Sequence, residues 1–157
     1  NIIADDCMIE GTVRCFSEEV LQAVETRMAK ICQDLCSAFE CEGQFVFQRS
    51  YPATINHAAQ AQYMREVAVT LLGQEQVVNF TPTMGSEDFS FFLQEKPGCY
   101  FALGNGDGDH HDLGHGMGPC NLHNPSYDFN DALIPIGASL WVRLVEARLG
   151  RGGIAVK

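Results

Sequence analysis

Between Asp5 and Phe16 the chain alternates. Cys7, Ile9, Gly11, Val13 and Cys15 fall on one side, and Met8, Glu10, Thr12, Arg14 and Phe16 on the other. A side-chain period of two predicts a strand with one buried face. Ser17 then offers a helix cap, with Glu18 and Glu19 in the first turn, where the helix dipole favours them. Val20, Val24, Met28, Ile31, Leu35 and Phe39 recur at three and four and predict an amphipathic helix. In CEGQFVFQR the alternation returns, with Phe45 and Phe47 on one face. Residues 5–49 therefore read as strand, helix, strand. One helix cannot cover both faces of a sheet, so one face is expected to meet another chain or a further segment.

YPATINHA, residues 51–58, reads as a linker. A helix follows with Met64, Val67, Ala68, Leu71 and Leu72, and Gly73 ends it. QVVNF and CYFAL are short apolar runs and predict two more strands. Between them Ser86 is expected to cap a short helix carrying Phe89, Phe92 and Leu93, which Pro97 and Gly98 end. GNGDGDHHDLGHGMGPCNLHNP breaks every period and reads as a glycine-rich loop. From Leu133 to Leu149 the pattern is helical again, with Leu133, Ile136, Leu140, Leu144 and Val145 on one side. Pro135 is tolerable in the first turn, whose N–H groups have no helical partner.

Composition narrows the function classes. Of the 157 residues 46 % are apolar and 19 % charged, which is globular composition. The formal net charge of -10, with no offsetting basic patch, argues against nucleic-acid and anionic-membrane partners. No apolar run is long enough to cross a bilayer, and no secretory signal opens the sequence. The 7 cysteines are odd in number and scattered, and no CxxC motif occurs. A disulfide scaffold and a structural zinc site are not expected, and a reducing cytoplasm fits.

Two constellations could do chemistry. Four of the 5 histidines fall between residues 110 and 123. His110, His111 and His115 sit in the glycine-rich stretch and read as solvated. His123 stands before a proline turn, where it is either a hydrogen-bonded loop histidine or a metal ligand. MGSEDFSFF is the second constellation. Its helix start could hold an anion, and Glu87 and Asp88 could bind a cation or orient a histidine, or they form an acidic cap. Arg14 could meet a carboxylate or be merely exposed.

Four stretches together carry a resemblance to the C-terminal part of the M20 metallopeptidase family: NIIADDCMIEGTVRCF, YPATINH, MGSEDFSFF and LHNPSYDFNDALIPIGASLWVRLVE. The branch it resembles contains amidohydrolases that cleave N-acyl amino acids, hippurate hydrolases among them. The resemblance implies an α/β fold, the C-terminal part of a two-domain metallohydrolase. Residues 1–50 would be part of a ferredoxin-like α+β lid, residues 51–150 part of an α/β catalytic domain, and residues 151–157 a tail. His123 matches the last metal-binding histidine of a centre holding two divalent ions (zinc, manganese, nickel or cobalt). Glu87 and Asp88 match the acidic pair near it, and Asn1 and Arg14 match lid positions near the substrate. Ala4 and His57 depart from the family pattern, which has proline and an acidic residue there. The implied activity of a full-length parent is hydrolysis of small N-acyl amino acids, in a homodimer paired through its lids. The other ligands and the general-base glutamate would lie upstream, so the chain alone is expected to be inactive. The alternatives are a non-catalytic dimerisation module, or a peptidase or deacylase of the same family.

Overall fold

A computed structural model describes residues 2–106, 122–125 and 127–150. Four helices are present among them: α1 (Glu18–Ala38), α2 (Ala58–Leu72), α3 (Phe89–Glu95) and α4 (Ile134–Leu149). Single 3-10 turns occupy Gln74–Gln76 and Asp131–Leu133. The chain divides into two compact units, Asn1–Ile55 with Thr81–Pro97, and Asn56–Phe80 with Gly98–Lys157.

No strand occurs among the described residues, which corrects the expected α/β fold with its ferredoxin-like lid and sheet-bearing catalytic domain. The stretches 5–16, 41–49, 76–80 and 99–103 form no ladder. The reason is physical. Alternation settles which side chains share a face, but a strand also needs a neighbour for its N–H and C=O groups. The alternation does survive as burial. Phe45 and Phe47 are half-buried while Val46 is exposed, and Val13 and Cys15 are half-buried while Arg14 and Phe16 are exposed.

In the first unit the Ser17 hydroxyl caps α1 by accepting the Val20 N–H at 3.3 Å, as the sequence predicts. After Phe39 the chain turns: the Cys41 N–H donates to the Cys36 carbonyl at 2.8 Å. The segment that follows returns along α1. Gly43 lies over Cys36 and Cys32, and Arg49 reaches Glu18, Gln22 and Glu25 near the start of the helix. α3 is shorter than expected. It starts at Phe89 behind Asp88, whose side chain makes no cap, and Ser86 does not cap it.

The second unit packs α2 against α4. Ala68 and Leu140 are buried, and the Tyr63 hydroxyl donates to the Leu144 carbonyl at 2.7 Å. Gly73 ends α2 at φ 92°, a conformation that favours glycine. Asparagines supply what a sheet would have supplied. The Asn56 amide donates to the Tyr100 carbonyl and accepts the Tyr100 N–H, both at 2.7 Å. Asn105 accepts the Asn130 N–H at 2.9 Å and donates to the Asp128 carbonyl at 3.0 Å. Asn56→Ala removes both rungs to Tyr100, and a loss of about 1 kcal/mol is expected in a urea melt.

Only four side chains are buried among the described residues: Ala68, Ser90, Leu93 and Leu140. For a chain that is 46 % apolar, that is a small core. Apolar surface is left over, and its location is informative.

Candidate functional site

Of the expected site residues the structure describes Arg14, Glu87, Asp88 and His123, each within its own unit. Asn1, His110, His111 and His115 lie outside the described residues. The Arg14 Nε–H donates to the Ser86 hydroxyl at 3.3 Å, and both residues are exposed. Half-buried Glu87 turns back on its own helix, accepting the Phe89 N–H at 3.3 Å, while its carbonyl accepts the Ser90 hydroxyl at 2.6 Å. That carboxylate occupies the start of α3, the acidic-cap alternative and not the anion-holding one. Asp88 is exposed. His123 is exposed on a turn at φ 72°, a left-handed conformation uncommon for a side-chain-bearing residue. Glu87 and Asp88 belong to the first unit and His123 to the second.

Among the described residues no group of three or more His, Cys, Asp or Glu side chains is gathered to hold a metal ion. Among the described residues the donor set therefore offers no complete metal site. With the missing sheet, this overturns the expectation of metal-dependent N-acyl amino acid hydrolysis as the function of this architecture.

What the structure does build is the surface of α1. This helix of 21 residues contains no buried residue and packs against no other helix among the described elements. Two apolar sides run along it. The first carries Leu21, Ala29, Cys32 and Cys36, half-buried on the side where the return segment lies. The second carries Val20, Val24, Met28, Ile31, Leu35 and Phe39, spaced three and four apart, and all of them except half-buried Val24 are exposed. Ile31 and Leu35 are each 55 % exposed and Phe39 77 %. An amphipathic helix is normally stabilised by burying its apolar stripe, and this second stripe is left uncovered among the described residues.

Electrostatics fix the covered side and leave the open side neutral. Arg49 donates to Glu25 at 2.5 and 3.0 Å, to Gln22 at 2.6 Å and to Glu18. The hydrogen bond to Glu25, with that to Glu18, pushes the guanidinium pKa above its ordinary value. This hub was missed in the sequence. Its only signal was the row Glu18, Gln22, Glu25 on one face, facing an arginine 24 residues beyond Glu25. Glu19 is held below the usual carboxylate range by its own backbone N–H and then by the Ser17 hydroxyl. A depressed carboxyl contributes stability above its unfolded pKa and loses it as pH falls through the folded value. The start of α1 should therefore loosen on acidification below the usual carboxylate range. Far-UV ellipticity should show that loss, and Ser17→Ala should flatten it.

No helix among the described residues is long and apolar enough to cross a membrane. Comparison with known proteins places the chain in a family context. The profile described as peptidase family M20/M25/M40 matches residues 7–147. A hippurate hydrolase of Campylobacter jejuni is 32 % identical over 145 residues, covering 92 % of this chain and 35 % of that protein. IAA-amino acid hydrolase ILR1-like 4 of Arabidopsis thaliana is 31 % identical over 144 residues, 89 % of this chain and 31 % of its own. Thermostable carboxypeptidase 1 of Saccharolobus solfataricus is 38 % identical over 106 residues, 66 % of this chain and 26 % of its own. The chain thus spans about a third of the length of these relatives or less. No solved structure matches it.

Proposed function

We propose that this chain, which belongs to peptidase family M20/M25/M40, acts as a non-catalytic module whose work is association with a second copy of itself. The observation that carries the reading is the open stripe of Val20, Met28, Ile31, Leu35 and Phe39 on a helix that no other described helix covers. The stripe bears no charge, and its spacing suits the facing stripe of an identical helix. Residues 1–50 carry the interface, and residues 51–150 form the body attached to it. On this reading the hydrolytic chemistry of the family, and its small amide substrates, belong to residues outside these 157.

Two other observations agree with a non-catalytic role. Glu87 is taken up with starting α3, and His123 stands exposed without two further ligands among the described residues. The test is an amidase assay of the purified chain on a panel of N-acyl amino acids, with zinc, manganese, nickel or cobalt added in turn. No turnover above buffer is expected with any of them. Turnover that co-purifies with the folded chain through a second column would contradict the proposal. It would do so most clearly if His123→Ala abolished it.

A further inference from the structure

The end of α1 gathers two thiols. Cys32 and Cys36 lie one helical turn apart on the covered side, both half-buried and both free. Gly43 of the return segment lies so close above them that a Cβ there would meet the Cys36 Sγ at 2.5 Å and the Cys32 Sγ at 3.2 Å. The approach is set by the turn that ties the Cys41 N–H to the Cys36 carbonyl. Any side chain at 43 would push the Cys36 sulfur away, so the absence of one keeps the pair together.

Two adjacent thiols have few uses, and geometry separates them. A disulfide needs Cβ atoms about 3.5–4.5 Å apart. Helical neighbours at this spacing hold them about 5–6 Å apart, so closing the bond would distort α1. Structural zinc takes four ligands, and among the described residues no third His, Cys, Asp or Glu joins the pair in a group able to hold metal. A soft monovalent cation is satisfied by two thiolates and needs neither the short Cβ separation nor a third donor.

We propose that Cys32 and Cys36, roofed by the Gly43 backbone, form a dithiolate site for copper(I). Binding transfers one proton from each thiol to solvent, forms two sulfur–copper bonds and changes no oxidation state. The electrostatics of the pair agree. Removal from water and then the neighbouring Cys32 push the Cys36 thiol up. A cation between the sulfurs reverses both effects.

The test titrates the full, reduced chain anaerobically with copper(I) held by a chromophoric chelator, with helicity followed by circular dichroism. The wild-type chain is expected to take up one tight equivalent. Cys32→Ser and Cys36→Ser should each weaken it by about 100-fold or more, because the chelate is lost. Cys7→Ser and Cys99→Ser should leave it unchanged. Gly43→Ala keeps both thiols but displaces one, and should weaken binding by about tenfold. No tight equivalent in the wild-type chain overturns the proposal. So does its retention in either serine variant of the pair, an equal loss in Cys7→Ser, or unchanged affinity in Gly43→Ala.

Discussion

Replacing Ile31 and Leu35 together with aspartate is expected to abolish self-association while leaving the separate chain folded. Both side chains are 55 % exposed in a single chain, so little packing is lost there. Exposed substitutions of this kind usually stay within about 0.5 kcal/mol each, plus a small helix-propensity term for aspartate. In a paired state the same positions would lie at the centre of an apolar seam. Charges placed there must be desolvated against hydrocarbon, and central interface positions commonly carry about 2 kcal/mol or more each. The dissociation constant should therefore rise by at least about 100-fold. Sedimentation velocity of the variant beside the wild-type chain reads this directly, and circular dichroism shows whether α1 survives. Gln33→Asp on the same helix, exposed and on the side away from the stripe, is the control and should associate as the wild-type chain does.

The largest effect on folding should come from Leu140→Ala. Leu140 is 2 % exposed, on the side of α4 that faces α2. Truncation removes its transfer free energy and leaves a cavity that two helices can only partly collapse. A loss of about 3 kcal/mol is expected in chemical denaturation. The contrast with Trp141 is informative. Trp141 is 61 % exposed and touches Phe101 with ring centroids 5.5 Å apart, so Trp141→Ala should cost clearly less. Equal losses at 140 and 141 would mean that the wrong face of α4 has been taken as its inner one.

The helices were legible in the sequence because their signals are local. Ser17 caps where a cap was expected, Gly73 stops α2, and Leu133, Ile136, Leu140 and Leu144 turn inward as their spacing predicts, whereas Val145, expected with them, is exposed. The strands were not legible, because pairing is a non-local property. CEGQFVFQR carries a sound alternation, yet its half-buried phenylalanines are matched by no ladder. The stripe on α1 is open except at half-buried Val24, whereas it was expected to face a sheet. The side that the chain covers is instead the neighbouring one, with Leu21, Ala29, Cys32 and Cys36. Cysteine reads weakly as apolar, so that second side was hidden.

The candidate site was legible only as a resemblance, and the residues show why. Metal ligation depends on side chains brought together from distant parts of a chain, which one motif cannot report. LHNPSYDFND marks His123, but nothing in that motif says whether partners arrive, and among the described residues they do not. MGSEDF likewise marks a helix start. Glu87 uses its carboxylate on the Phe89 N–H, and Ser86 holds Arg14 instead of capping. The Arg49 hub shows the same lesson from the other side, since its acidic partners precede it by 24 to 31 residues.

The central claim is that the open face of α1 is made for a second copy of the chain. Sedimentation equilibrium of the wild-type chain, from low to high micromolar concentration in reducing buffer, tests it most directly. The account predicts a reversible rise in mass from the 17.3 kDa of one chain to twice that value, with no higher species. A mass that stays at 17.3 kDa across the whole range, with α1 intact by circular dichroism, would contradict it.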